Sequence, residues 1–263
     1  MNDARRVVVQ LRSDLKVFVR TPAALFFTAI LPVIFLCLFV SIFGNERAGP
    51  EYDNIRISTL QVPAFIALAV VSASFVGLAI GLVSVREDGV LKRIRGTPVA
   101  PWIVFAGRVG TSIIMATAVT VVLIAIGAVA FGVRVPTSTL PGLVAALLLG
   151  AFAFCALGIA YTSAIRSEEA APAMTNAVVL PLYFISGVFV PTSQLDALPG
   201  VLRALADVLP VKPFVDALTV AFDPRTAGAG FSAGDLAVLA AWGVVGMLFS
   251  MRFFAWSPRN QAG

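Results

Sequence analysis

Six apolar runs decide what this chain can fold into. A helix needs about 20 residues to cross a hydrocarbon core of roughly 30 Å, and runs of that order lie at about 23–43 (ALFFTAILPVIFLCLFVSIFG), 62–85, 109–131, 140–165, 172–190 and 235–255. The sixth is the shortest in uncharged length, Leu236 to Met251, but Asp235 can rest in the outer headgroups and Arg252 can snorkel to the inner ones. Composition agrees: 59% of the 263 residues are hydrophobic and 13% charged, against about 45–50% and about 25% in soluble domains. The expected fold is all-α, a polytopic membrane protein with six transmembrane helices forming one domain over 1–263.

An even number of spans puts both termini on one side, and the Lys/Arg bias says which. Thirteen of the 19 basic residues fall on one set of segments: Arg5, Arg6, Arg12, Lys16 and Arg20; the loop at 86–108 with Arg86, Lys92, Arg93, Arg95 and Arg108; Arg166; and Arg252 with Arg259. The other six are Arg47, Arg56, Arg134, Arg203, Lys212 and Arg225, half of them in a long loop where charge counts for less. Both termini and the 86–108 loop are therefore expected in the cytoplasm, with the chain in the plasma membrane. A secretory signal peptide is not expected, because the first apolar run is too long for an h-region and follows twenty mostly polar residues.

Several chemistries are excluded. There is no histidine, which removes His-activated nucleophiles, zinc sites of the H-E-x-x-H type and His proton relays. A phosphate-binding loop needs Gly-Lys-Ser/Thr, whereas Lys16, Lys92 and Lys212 sit in LKV, LKR and VKP. The chain is thus read as no enzyme, with no cofactor of its own. Cys37 and Cys155 lie inside apolar runs, where a thiol is a small hydrophobe, so neither disulfide nor metal is implied. The spans as drawn carry an acid only at the lip of the sixth, Asp235, so an ion-driven cycle would lack its coupling group.

Four segments do not span. In residues 2–20, Val8, Leu11, Leu15 and Phe18 recur at helical spacing opposite Arg5, Arg12 and Lys16, the pattern of an amphipathic helix in the inner headgroup layer. Thr21 and Pro22 then read as N-cap and first helical residue of span one. The stretch REDGVLKRIRGTPVAPW, 86–102, places Val90, Leu91 and Ile94 on one face of a short helix between Gly89 and the breakers Gly96, Pro98 and Pro101. A charged loop beside a membrane is also an ordinary topology determinant, but that does not account for a compact element held between Gly and Pro. In RSEEAAP, 166–172, Ser167 can cap span five, with Glu168 and Glu169 in its first turn. In 191–231, Leu195, Leu198, Leu202, Leu205 and Leu209 follow helical spacing broken at Pro199 and again at PVKP, which fits two short amphipathic helices, either flat in the interface or re-entrant.

Span two carries Ala73, Gly77 and Gly81 at four-residue intervals, a stripe that lets helices approach closely. Span five is unusual: Thr175, Asn176, Tyr183 and Ser186 are polar and Pro181 interrupts its hydrogen-bond ladder, while span one has Pro32 at its centre. Freed carbonyls at such prolines need a protein or aqueous neighbour, so these six residues are candidates for a translocation route.

The stretch REDGVLKRIRGTPVAPWIVFAGRV resembles the signature of ABC-2 type permeases, the membrane subunits of ABC exporters, with daunorubicin-type drug exporters the nearest subgroup. The resemblance extends over nearly the whole chain and implies that residues 86–101 form the cytoplasmic coupling segment. Glu87, Gly89, Leu91, Arg93, Arg95, Thr97 and Pro98 match family positions there, with Ile94 where Leu is commoner; Val90 and Lys92 complete the docking surface. It further implies an outer helical hairpin over 191–231 re-entering the outer leaflet, a second permease copy or paralogue as partner with spans one and five meeting across the dimer, and a separate nucleotide-binding ATPase subunit that holds ATP and Mg. The partners are those subunits and the lipid bilayer, not nucleic acid, and the cargo is an amphiphilic drug, a lipid or a glycan-type substrate. The rival reading is a stand-alone carrier or channel whose cytoplasmic loop only sets topology; a non-transporting scaffold would have no use for Pro181 and Asn176.

Overall fold

The computed structural model describes residues 3–45, 56–95, 101–190 and 199–254, and its regular elements are all helices. We number them α1 (Asp3–Arg20), α2 (Pro22–Leu25, a π turn Phe26–Ile30, then Leu31–Phe43), α3 (Ile57–Val71, a π turn Ser72–Gly77, then Leu78–Glu87), α4 (Val90–Arg95), α5 (Pro101–Phe131), α6 (Leu140–Tyr161), α7 (Ala170–Ile185), α8 (Gly200–Val208), α9 (Val211–Phe222) and α10 (Ala233–Phe253). Four of them, α3, α5 from Ile103, α6 and α10, are long and apolar enough to cross a membrane; the other two expected spans are the shorter apolar helices Phe26–Ile42 and Ala170–Ile185. The fifth run falls short of its expected bounds of 172–190, because the helix stops at Ile185 before left-handed Gly187.

Two helices are longer than their runs. α3 starts at Ile57 and α5 at Pro101, so Pro101–Arg108 is helix rather than loop. At 1.5 Å per residue the 31 residues of α5 span about 46 Å, more than a hydrocarbon core, and in its first turns Ile103 and Val104 are buried while Phe105 packs against the cluster of Leu78, Leu82, Cys155 and Ile159. There α1 crosses it. Gly107 and Gly110 leave room for the crossing: a Cβ on the first would lie 2.5 Å from Gln10 Cγ, and on the second 3.0 Å from a Leu11 methyl. The buried face of α1 also carries a carboxylate, Asp14, which lies 3.6 Å from Arg108 Nε. Thr21 does not cap α2 through its side chain; its hydroxyl donates back to the Val17 carbonyl at 2.8 Å.

α3 is the hub. Every residue from Val62 to Val71 is buried, with α2, α5, α6 and α9 packed around it. The π turn in α2 has a cause in Pro32, whose ring crowds the carbonyl four residues back; the Leu31 N–H reaches Phe26 O instead. The π turn in α3 contains no proline. Its Ala73 carbonyl accepts from the Ser112 hydroxyl at 3.4 Å, and Gly158 of α6 lies against it, where a Cβ would be 3.0 Å from Phe75 O. The expected small-residue stripe is used inside the chain: Ala73 is buried, and Gly81 makes room for the Arg108 guanidinium.

The helices alternate in direction. At one end, Asn45 and Arg56 both donate to the Phe131 carbonyl, at 2.7 and 2.9 Å, gathering the end of α2, the start of α3 and the end of α5. At the other, Arg86 at the end of α3 reaches carbonyls at the end of α6. We call the second, which carries the expected coupling segment, the coupling end and the first the far end.

Candidate functional site

The coupling end is built on two residues that set the position of α4. Gly89 takes φ +69°, a left-handed value that L side chains rarely adopt, and no neighbour approaches the space where a Cβ would be. Conformation rather than crowding therefore requires glycine here. Its N–H closes on the Arg86 carbonyl at 3.0 Å, and its own carbonyl accepts from Arg93 at 3.1 Å, so the chain leaves α3 and starts α4 within one turn. Arg86 is the largest fully buried side chain, 1% exposed. Its Nη1 donates to Thr162 O at 2.9 Å, Nη2 to Ile165 O at 2.7 Å and Nε to the Glu87 carboxylate at 2.8 Å. A cation on the last carbonyls of a helix satisfies groups that have no partner within it and opposes the negative end of its dipole. Arg86 thus fastens the coupling segment to α6.

The faces of α4 divide differently from the expectation that Val90, Leu91 and Ile94 form one free ridge. Leu91 has no exposure and is a root into the bundle, whereas Val90 is 36% exposed and Lys92 and Arg93 are exposed beside it. Ile94 and Arg95 belong to the helix by backbone, and Thr97 and Pro98 lie outside the described residues. In the neighbouring turn Ser167 Oγ accepts the Ala170 N–H at 3.3 Å at the start of α7. Glu169 is held below the usual carboxylate range, first by its own backbone N–H and then by Ser167.

The candidate route residues do not converge. Thr175 is buried with its hydroxyl on Ala171 O at 2.8 Å, Ser186 is buried, and Tyr183 is buried with its hydroxyl on Leu68 O at 3.3 Å and near Ser72 at 3.4 Å. Asn176 and Pro181 lie on the opposite, exposed face with Leu180 and Phe184, and the Asn176 amide is occupied by Pro172 O at 2.9 Å. Pro32 is buried in α2. Three of the six are therefore packing residues of the protomer, with satisfied polar groups.

The resemblance implies a helical hairpin over 191–231, and the segment before α10 runs into the bundle. α9 ends at the far end, where Thr139 donates its hydroxyl to Ala221 O and the Gly142 N–H reaches Ala229 O at 2.9 Å. From there it runs back into the bundle. Phe214 fills the surface of Gly150, the eleventh residue of α6, where a Cβ would lie 2.4 Å from the ring. The turn between α8 and α9 is held by the indole N–H of Trp242, the tenth residue of α10, on Val208 O at 2.7 Å. Ten residues of helix are about 15 Å, half of a roughly 30 Å core. The pair α8–α9 is a hairpin whose tip lies level with the middle of α6 and α10; 191–198 lies outside the described residues.

That tip carries charge, outside the six spans in which Asp235 is the acid expected. Lys212 Nζ is 2.8 Å from Asp207 and 2.9 Å from Asp216. Charges at this depth are costly unless paired, and here the lysine bridges two carboxylates. Among the described residues no group of His, Cys, Asp or Glu is arranged to hold a metal ion.

The comparisons agree with this architecture. No curated protein matches the chain significantly. The family model for ABC-2 type transporters matches residues 6–222, which takes in most of α1, the hub helix, α4 and the α8–α9 pair. By that match the chain belongs to the ABC-2 type transporter family, as a membrane subunit of an ABC transport system.

Proposed function

We propose that this chain is the permease of an ATP-driven exporter, working as a pair of copies or with a paralogue, and that separate ATPase subunits holding ATP and Mg drive it through residues 86–98. The observation that carries the reading is α4: a short helix set off by left-handed Gly89, rooted by buried Leu91 and clamped to α6 by Arg86, with Val90, Lys92 and Arg93 outward. Such a ridge suits a groove with an acidic rim on a partner, apolar contact giving affinity and charge giving specificity. The cargo we favour is an amphiphile, a drug or a lipid ahead of a glycan, because the faces of α7 and α8 left outside the bundle are apolar, with Leu180, Phe184, Val201 and Val208 exposed.

The test is co-purification with the ATPase subunit, together with substrate-stimulated ATP hydrolysis in nanodiscs. Val90→Asp should insert normally and lose the ATPase. Arg93→Glu should show a defect that depends more strongly on ionic strength. Normal binding and transport by both variants would leave 86–98 a topology signal. The rival, a stand-alone carrier, gains one argument from the Asp207–Lys212–Asp216 cluster, and transport without any ATPase subunit would establish it.

A further inference from the structure

Beneath the tip of the α8–α9 hairpin lies a cavity of about 320 Å³. Leu209, Pro210 and Val211 form its ceiling, and α3, α6, α7 and α10 form its walls, with Phe154, Val179 and Trp242 among the side chains that line it. Towards the coupling end it reaches Ser163 and Ala164, in the turn that Arg86 ties down.

The chemistry of the wall is one-sided. Among the lining residues only Tyr161, Ser163 and Trp242 have polar side-chain atoms, and each has a partner: Met174 O at 3.1 Å, Ala160 O at 2.8 Å and Val208 O at 2.7 Å. A polar ligand would gain no unsatisfied group there, and an apolar cavity of this kind does not hold water. Its length is informative. From Phe154 along α6 to its end at Tyr161 is seven residues, about 10 Å, and the turn beyond carries the lining on to Ala164, so the slot covers most of one leaflet's share of a hydrocarbon core about 30 Å thick. Its sides are bordered by Val178 of α7 and Phe249 of α10, 37% and 45% exposed.

We propose that this cavity is a binding slot for one acyl chain of a membrane phospholipid, drawn from the leaflet at the coupling end, with the chain terminus resting under Leu209–Pro210–Val211. The depth supplies the occupant: the molecules that reach a lateral apolar opening between headgroup level and mid-core are lipid tails. Filling the slot replaces the dispersion contacts that an empty cavity forfeits, so the hairpin tip rests on lipid as well as on protein. The inference concerns a resident lipid and does not depend on what is exported.

The test uses the full chain in phosphatidylcholine vesicles, with acyl chains brominated near their middle as a contact quencher of tryptophan. Trp102→Phe and Trp256→Phe leave Trp242, on the cavity wall, as the only indole. Its fluorescence should be strongly quenched by the brominated lipid. Val179→Phe and Ala160→Leu, which fill the slot from two different helices, should each remove most of that quenching, while Val244→Phe, on the exposed face of α10, should leave it intact. Equal quenching in all four proteins would mean that Trp242 senses bulk lipid, and no quenching in the parent would mean that protein, such as a second copy, fills the space. Either result overturns the proposal.

Discussion

Replacing Arg86 by methionine is the sharpest perturbation of the coupling end. The side chain is 1% exposed and donates to Thr162 O, Ile165 O and the Glu87 carboxylate. Methionine keeps most of the length and loses all three donors, leaving two terminal carbonyls of the α6 turn and a carboxylate 8% exposed without this partner. Hydrogen bonds to a charged group are worth about 1.5–3 kcal/mol each, and removing one member of a buried pair costs about 3–5 kcal/mol. We take about 3–5 kcal/mol as the expected loss, since the carbonyls can recover some solvent at the headgroup level. Thermal unfolding in detergent should show a drop in midpoint of the order of 10 °C. Arg86→Lys should fall between parent and Arg86→Met, because an ammonium on a shorter reach cannot span both carbonyls in the fork geometry. Adding Glu87→Gln to Arg86→Met should restore part of the loss by removing a carboxylate charge that no longer has this cation beside it. An Arg86→Met protein that melts with the parent would refute the clamp.

Three further outcomes follow from the geometry. Gly150→Ala places a methyl 2.4 Å from the Phe214 ring and should destabilise the seat of α9 by about 1–3 kcal/mol, read as increased accessibility of a cysteine put in place of buried Leu218 with Phe214 kept; no change in labelling would mean that the hairpin does not rest on α6. Lys212→Met leaves Asp207 and Asp216 without their cation level with the middle of α6 and α10 and should reduce the yield of folded protein, whereas Lys212→Met combined with Asp207→Asn and Asp216→Asn should restore it. Normal yield from the single variant would place the cluster in an aqueous space. Gly89→Ala, at φ +69°, should cost roughly 1–2 kcal/mol from backbone conformation alone and weaken ATPase coupling.

Hydropathy made the long helices legible because a span must be continuously apolar, and their ends shifted by a few residues where a charged turn continued the helix, as at Pro101–Arg108. The depth of α9 was less legible for the converse reason. Lys212 and Asp216 lower its average, yet Phe214, Val215 and Leu218 on its other side are buried, so periodicity alone leaves open whether the segment lies flat or enters, although eight of its twelve residues are buried. At the coupling end, periodicity put Val90 and Leu91 together on an apolar ridge, but it carries no information on which part the chain itself covers. Arg86 was counted as a topology charge, since no pattern in sequence marks the carbonyls of a helix that ends 76 residues later. Asp14 could have been found: it lies three residues after Leu11 and four before Phe18, on the apolar face, where an unpaired carboxylate requires a partner such as Arg108.

The same contacts make α6 the shared member of both parts of the site. At the coupling end its terminal carbonyls are held by Arg86, from the helix that carries α4. At its middle, Gly150 receives Phe214 of the hairpin, and at its far end Thr139 and Gly142 are bonded to Ala221 and Ala229 on either side of the loop into α10. Gly243 and Gly246 of α10 close onto it in between, where a Cβ on Gly246 would lie 2.9 Å from the backbone of Ala156. A helix fixed at its end, middle and start cannot slide past these neighbours without breaking close-packed contacts, and packed interfaces rearrange in discrete steps rather than by continuous deformation. A displacement applied at α4 would therefore reach the hairpin through α6 as a rigid movement. The cavity beneath the hairpin tip is where such a movement meets the least protein resistance, because there the tip is backed by the proposed acyl chain, which can deform or leave, rather than by side chains.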